Sequence, residues 1–228
     1  MVTFIFIIIL SLILINILNK KALPLFNKYS KLETKKIISS VVNSSVTNYV
    51  KDNINTDNLL ITMKDNSGNI KSIDFNTKEV NRILTGTSKI VEENLRYLEN
   101  GKLDKLGINT NISNKKINKG VVFELPSGII FNNNIMSNIM PKIPIKLELI
   151  GNIICYIKTD IKNYGINSAL ITINIDVVAE EKILLPFSNT TTKVETNIPI
   201  VMKLIEGDIP SYYMDGYLSN PSISRSVE

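Results

Sequence analysis

Hydrophobic and polar positions divide the chain into three stretches of different periodicity. The first, Val2 to Leu18 (VTFIFIIILSLILINIL), is seventeen residues without a charge, interrupted only by Thr3, Ser11 and Asn16. It shows no helical or strand period. As a helix it covers roughly 26 Å, slightly under the roughly 30 Å hydrocarbon core but within the lower limit for a spanning segment. The run predicts a single-pass transmembrane anchor rather than a cleaved signal, because no basic residues precede it and Asn19, Lys20 and Lys21 follow it where small residues would mark a cleavage site. Lys20, Lys21 and Lys28 all lie C-terminal of the run, so the positive-inside rule taken literally leaves the body in the cytoplasm. The sequence opens inside the hydrophobic run, as it would had a basic leader preceded it. The orientation expected with such a leader puts the body outside the cytoplasm.

The second stretch has helical period. Between Lys31 and about Asp52, the positions Ile38, Val41, Val42, Val46, Tyr49 and Val50 form one apolar stripe, after a short segment holding Pro24. Two short strands are expected next, with Leu59 and Ile61 in one and Ile70, Ile73 and Phe75 in the other, joined through the turn Asp65-Asn66-Ser67-Gly68-Asn69. That turn superficially suggests a calcium loop. The pattern fails, because the sixth position is Ile70 instead of Gly and the twelfth is Asn76 instead of a bidentate Glu. Asn76 with Glu79 then forms a capping-box-like start, and Val80, Ile83, Leu84, Thr87, Val91, Leu95 and Leu98 hold one helical face as far as Gly101. Its other face mixes Lys78, Arg82, Lys89, Glu92, Glu93, Arg96 and Glu99, which reads as a solvated surface. Residues 102–119 are polar and Asn-rich, with Lys115, Lys116 and Lys119, and read as a loop.

The third stretch has strand period. Val121, Val122 and Phe123 lead to the turn at Pro126-Ser127-Gly128. Pro141 and Pro144 flank the start of a further extended segment. Leu147 and Leu149, then Ile153, Cys155 and Ile157, predict a strand that a bulge at Gly151 re-aims. Ala169, Ile171, Ile173, Ile175 and Val177 alternate with Leu170, Thr172, Asn174 and Asp176, giving one core face and one mostly wet face. In the third long strand Val194, Thr196, Ile198, Ile200, Met202 and Leu204 are expected on one side, alternating with Lys193, Glu195, Asn197 and Lys203. Connections this short permit antiparallel pairing only. The fold class is therefore α+β: an N-terminal transmembrane helix, a helix-hairpin-helix unit and a curved antiparallel sheet. The expected divisions are 1–21 for the anchor, 22–110 for the α-β-β-α portion and 111–228 for the β-rich portion.

Composition narrows the chemistry. The 228 residues include no His, no Trp and a single Cys. Imidazole acid/base catalysis, His-ligated metals, internal disulfides and Cys-cluster zinc sites are thereby excluded. With 26 basic and 21 acidic residues the formal charge is +5, too mild an excess to indicate a nucleic-acid partner. Cys155 shares a strand face with Ile153 and Ile157 and reads as an inert buried thiol. Asp160, Asp176, Glu180 and Glu181 are carboxylates whose spacing matches no hydrolase or divalent-ion pattern. No Walker-type loop or G-x-S-x-G elbow is present. Tyr212, Tyr213, Met214 and Tyr217 cluster near the C-terminus, where packing onto the sheet is favoured over a docking surface. No catalytic, cofactor-binding or metal-ligating residue is assigned, and no cofactor is expected.

Several connected elements do carry a resemblance: Pro141-Lys142-Ile143-Pro144, Gly151, Asn163-Tyr164-Gly165-Ile166-Asn167, Leu185-Pro186-Phe187, Ile198-Pro199-Ile200 and Gly207-Asp208-Ile209-Pro210-Ser211-Tyr212, with Leu125-Pro126-Ser127-Gly128 before them. In this ordered series, and in its leading apolar run, the chain resembles the sporulation protein YunB family of endospore-forming bacteria. Members usually begin with basic residues ahead of the membrane span, a feature this sequence departs from. The resemblance implies a role in spore formation on mother-cell-derived membranes, and implies no reaction and no catalytic residues. The expected function is that of a membrane-anchored, non-enzymatic sporulation factor. It would contact lipid through its N-terminal helix and other sporulation membrane proteins, or a second copy of itself, through its body. The alternative is a module binding lipid or cell-wall polymer in a groove of the curved sheet. An enzyme working with carboxylates alone ranks last.

Overall fold

The computed structural model describes residues 2–66, 68, 70–106, 120–128, 140–165 and 168–206. Among these residues three α-helices and six strands run in the order α1 (Val2–Ile17), α2 (Leu23–Asn53), β1 (Leu60–Lys64), β2 (Ile70–Phe75), α3 (Thr77–Glu99), β3 (Phe123–Pro126), β4 (Lys142–Asn163), β5 (Ser168–Leu185) and β6 (Ser188–Glu206). β1 and β2 form an antiparallel hairpin, and the remaining strands form an antiparallel sheet in the order β3-β4-β5-β6.

The expected transmembrane helix takes a different form. Regular α-helix in the apolar run ends at Ile17, a π-helical turn occupies Leu18–Ala22, and α2 continues the rod to Asn53. At 16 residues α1 covers about 24 Å. Among the described residues no helix is both long enough and apolar enough to cross a membrane. α1 ends at Ile17, where the π-helical turn begins, and so stops short of that length. α2 also begins eight residues earlier than its apolar stripe indicates. Pro24 does not delay it: it falls at the start of α2, directly after the π-helical turn, where the backbone of Ala22 is already helical at φ −76° and ψ −48°.

The body is built around β5. Its odd-numbered side chains Ile175, Val177, Ala179 and Ile183 face α2 and α3 in one core with Ile38, Val41, Val42 and Val46 of α2 and Ile83, Val91, Leu95 and Leu98 of α3. The apolar stripes read from the sequence are the faces that make this contact. Asn76 caps α3 by accepting from the Glu79 amide at 3.3 Å, and Gly101, at φ +68°, follows its C-terminus. Between the helices Asn94 Nδ2 donates to Ser45 Oγ at 2.7 Å, so a buried amide and hydroxyl satisfy each other. The solvated face of α3 carries the ion pairs Arg82–Glu79 and Arg96–Glu92. β1 starts at Leu60, one residue later than expected, because Leu59 closes a 3-10 turn from Thr56.

Two irregularities shape the long strands. In β4 the register with β5 shifts between Ile150 and Ile154, around Gly151 at φ +69°. The step inserts two residues, so odd positions keep facing inward and Ile153 is buried. Between β5 and β6 the partner of Ile173 is Val201 and that of Asn174 is Pro199, leaving Ile200 as a single extra residue. One inserted residue exchanges the faces of everything beyond it. Met202 and Leu204, expected on the core side with Val194 and Ile198, are therefore turned outward, and Met202 is 67% exposed. Val201 and Ile205 pack inward instead. The cause is Pro199, which has no amide to give to the ladder and is accommodated at a bulge.

This placement predicts a contrast in stability. Ile175→Ala should cost about 2–5 kcal/mol, whereas Met202→Ala should change stability by no more than about 0.5 kcal/mol. Urea unfolding of the two variants checks it; a Met202 cost equal to that of Ile175 would mean β6 runs without the bulge.

Candidate functional site

The carboxylates singled out from the sequence do not converge. Asp160, Asp176 and Glu180 lie on the outer face of the sheet, while Glu181 points inward. Asp160 Oδ2 accepts from Asn174 Nδ2 at 3.0 Å, and Asp176 accepts from Asn197, so both are held by neighbouring amides. Among the described residues no three Cys, Asp or Glu side chains gather closely enough to hold a metal ion. Cys155 is half-buried and burial pushes its thiol up to about 11, against a smaller opposing pull from Ser88. It is held as thiol at neutral pH and is a poor nucleophile there.

Glu181 is the unusual member. It is only 2% exposed, opposite Leu149 on one side and Thr192 on the other, in a position where the alternation of β5 calls for an apolar residue. Burial first, and the neighbouring Glu99 second, push its carboxyl up to about 8. Glu99 sits in the last turn of α3, where the helix dipole also disfavours negative charge. Its own carboxyl is raised by burial and by Glu148, and Arg96 opposes the shift. Glu148 is tied to Lys182 at 3.3 Å. The group is a partly desolvated acidic patch with one protonated member at neutral pH, and it carries no nucleophile or general base aimed into a cavity.

A concave surface lies at the opposite end of the sheet. The hairpin β1–β2 leans over the far ends of β4, β5 and β6 and leaves a groove of about 610 Å³. Its walls are apolar, with Leu60, Ile73 and Phe75 on the hairpin and Ile161, Ile171 and Ile205 on the sheet; Lys71 and Glu206 also line it. Leu60, Ile171 and Ile173 form a small second core beneath it. The sequence signals the hairpin and the strand ends separately. It gives no sign that they meet, because nothing local fixes which part of a sheet a hairpin lands on. The C-terminal tyrosine cluster, the loop lysines Lys115, Lys116 and Lys119, and Ser67 and Asn69 of the rejected calcium loop lie outside the described residues.

Comparison with known proteins gives a family and no fold precedent. Residues 122–212 match the family described as Sporulation protein YunB (Spo_YunB), a span that takes in β3 to β6. Sporulation protein YunB of Bacillus subtilis (strain 168) is 32% identical over 196 residues, covering 86% of this chain and 73% of that protein. The chain belongs to the sporulation protein YunB family. No solved structure matches it. It is thus a sporulation protein by family, and the family description names no reaction, ligand or partner. Within the family region the structure places the long antiparallel sheet, the bulge at Pro199 and the β5–β6 turn at Pro186-Phe187.

The Glu181 environment makes a signed prediction. Its folded-state value, about 8, exceeds the ordinary 4.5, so the folded protein holds this proton more tightly than the unfolded chain. Stability from this group then falls as pH rises between about 5 and 8. Glu181→Gln should flatten that slope and raise stability at the upper end by roughly 1–3 kcal/mol. Urea midpoints across this pH range check it; an unchanged slope would mean Glu181 is ionised and partnered at neutral pH.

Proposed function

We propose that the protein is a membrane-attached, non-enzymatic sporulation factor that works by holding a protein-binding body beside a bilayer. The observation that carries this reading is α1. All of its side chains whose exposure is described are solvent-facing, including Phe4, Phe6, Ile7 and Leu12, although it is apolar around its whole circumference. A helix of that kind needs a dry environment, and the body does not supply one. Removing Thr3, Ser11 and Asn16 from its sixteen residues leaves thirteen apolar ones. Their transfer into a bilayer contributes on the order of 4–8 kcal/mol, from which the three polar residues subtract a part. The rod from α1 through α2 carries this attachment directly into the core, since α2 packs on β6 and α3. The side of the membrane proposed for the body is the one outside the cytoplasm.

The proposed contact surface of the body is the outer face of the sheet. Ile154, Tyr156, Met202 and Leu204 are exposed there, and no described element covers them. The acidic patch and the inert thiol support a non-catalytic role because neither presents reactive atoms to a substrate-sized cavity. The apolar groove favours a second reading, the binding of lipid or cell-wall polymer between the hairpin and the sheet.

One experiment separates the two. Photo-activated cross-linkers at Tyr156, Met202 and Ile161, introduced one at a time into the full chain in sporulating cells, should give protein adducts from Tyr156 or Met202. Adducts of lipid or glycan from Ile161, with none of protein from the outer face, would favour the groove and overturn the first reading.

A further inference from the structure

We propose that the turn between β5 and β6, Pro186-Phe187, is a second membrane contact, seated among the headgroups of an anionic bilayer beside α1. The inference rests on the reading of α1 as the membrane attachment, and adds to it a fixed orientation of the body. Its first support is position. The turn docks on the helical rod immediately past α1: the Phe187 and Phe26 rings lie 5.6 Å apart, tilted by 50°. Beside them Ser188 Oγ donates to Asn27 Oδ1 at 3.3 Å. Ala22 and Phe26 are buried, so the end of the sheet nearest α1 is fastened to the first turns of α2.

The second support is depth. From Leu18, the last residue of the apolar run, the rod rises by about 6 Å to Ala22 and by about 12 Å to Phe26. The headgroup layer on each side of a bilayer is roughly 5–8 Å thick. α1 is about 6 Å shorter than the hydrocarbon core, and a short helix is accommodated by thinning the bilayer or by drawing its flanks toward the interior. Drawing the flank inward by about 6 Å leaves Phe26, and the turn fastened to it, about 6 Å from the hydrocarbon edge, at the level of the headgroups.

The third support is surface chemistry. Phe187 stays 49% exposed despite its contact with Phe26, and Pro186 is exposed beside it. An aromatic ring with one dry and one open side suits the interface. On the rod that the turn docks against, Lys20, Lys21 and Lys28 are exposed, and the first acidic residue of the chain is Glu33. Glu124 of β3 is engaged by Lys142 at 3.9 Å. The charges the rod exposes between α1 and the turn's docking site are therefore basic and favour anionic lipid, while the acidic group of Glu99, Glu148 and Glu181 begins five residues back along β5 from Pro186.

The chain contains no tryptophan, so Phe187→Trp creates a single tryptophan reporter that can be excited apart from the eight tyrosines. The control is Tyr164→Trp, at the β4–β5 turn, where the residue is 66% exposed and about 60 Å away along β5. Both full-length variants are reconstituted into vesicles of phosphatidylcholine and phosphatidylglycerol, with and without lipids brominated near the headgroup end of the acyl chains. The Phe187→Trp protein should emit at shorter wavelength than the Tyr164→Trp protein and lose intensity to the brominated lipid, while the control keeps a solvent-like, unquenched spectrum. Pro186→Trp reads the same depth from the adjacent position if the Phe26 contact does not accept an indole. Solvent-like, unquenched emission from both turn variants in protein that floats with the vesicles would overturn the second contact and leave the α1 attachment standing. Protein that does not float at all would overturn the attachment, and with it this inference.

Discussion

Burial of the inward face of β5 beneath α2 and α3 is the interaction on which the rest of the body depends. β5 is the strand with a long partner on each side, and its odd-numbered positions supply Ile175, Val177, Ala179 and Ile183 to a core shared with both helices. Each element is incomplete without the others. The helices have one apolar stripe each, and the sheet has one dry face, so neither layer closes alone. Fixing that face also fixes what remains outside: the wet residues Thr172 and Asp176, the outward-turned Met202 and Leu204, and the groove left where the helices end and the β1–β2 hairpin takes over.

Glu181 marks the limit of this arrangement. It occupies an inward position of β5 yet carries a carboxyl, close to Glu99 at the dipole-negative end of α3. The fold accommodates it by keeping its proton. A group held neutral by burial destabilises the folded state when ionised, so the residue is a cost to the fold at high pH. Its inward position, beside the buried Thr192, lies near the edge of the sheet's coverage, where α3 stops.

Much of the architecture was legible because it follows from local rules. The Asn76 cap and Gly101 bound α3, the alternation from Ala169 to Val177 gives both faces of β5, and the short connections require antiparallel pairing. What was not legible depends on tertiary context. Periodicity keeps Met202 and Leu204 in the core, and only the proline inside the strand, Pro199, signals the bulge that turns them out. The segment holding Pro24 reads as lying ahead of the helix, yet Pro24 at the start of α2 is compatible with a rod that runs on from α1. The groove arises from where distant segments meet and has no local signal, whereas the separation of Glu181 from Asp176 and Glu180 follows from the alternation of β5.

The molecule thus has two apolar surfaces with different fates. The one on β5 is closed by folding, and the one on α1 is left open on a helix too short to satisfy a bilayer without help from its flanks. Family membership sets the chain in sporulation, and the open helix is what the proposed membrane attachment rests on. Flotation of the full-length chain with liposomes, compared with the Ile9→Lys, Leu10→Lys double variant, addresses this most directly. Two charges at the helix centre cost roughly 5–7 kcal/mol in a bilayer and touch nothing in the body. The unaltered chain should rise with the lipid while the folded double variant stays at the bottom of the gradient; equal flotation of the two would contradict attachment through α1.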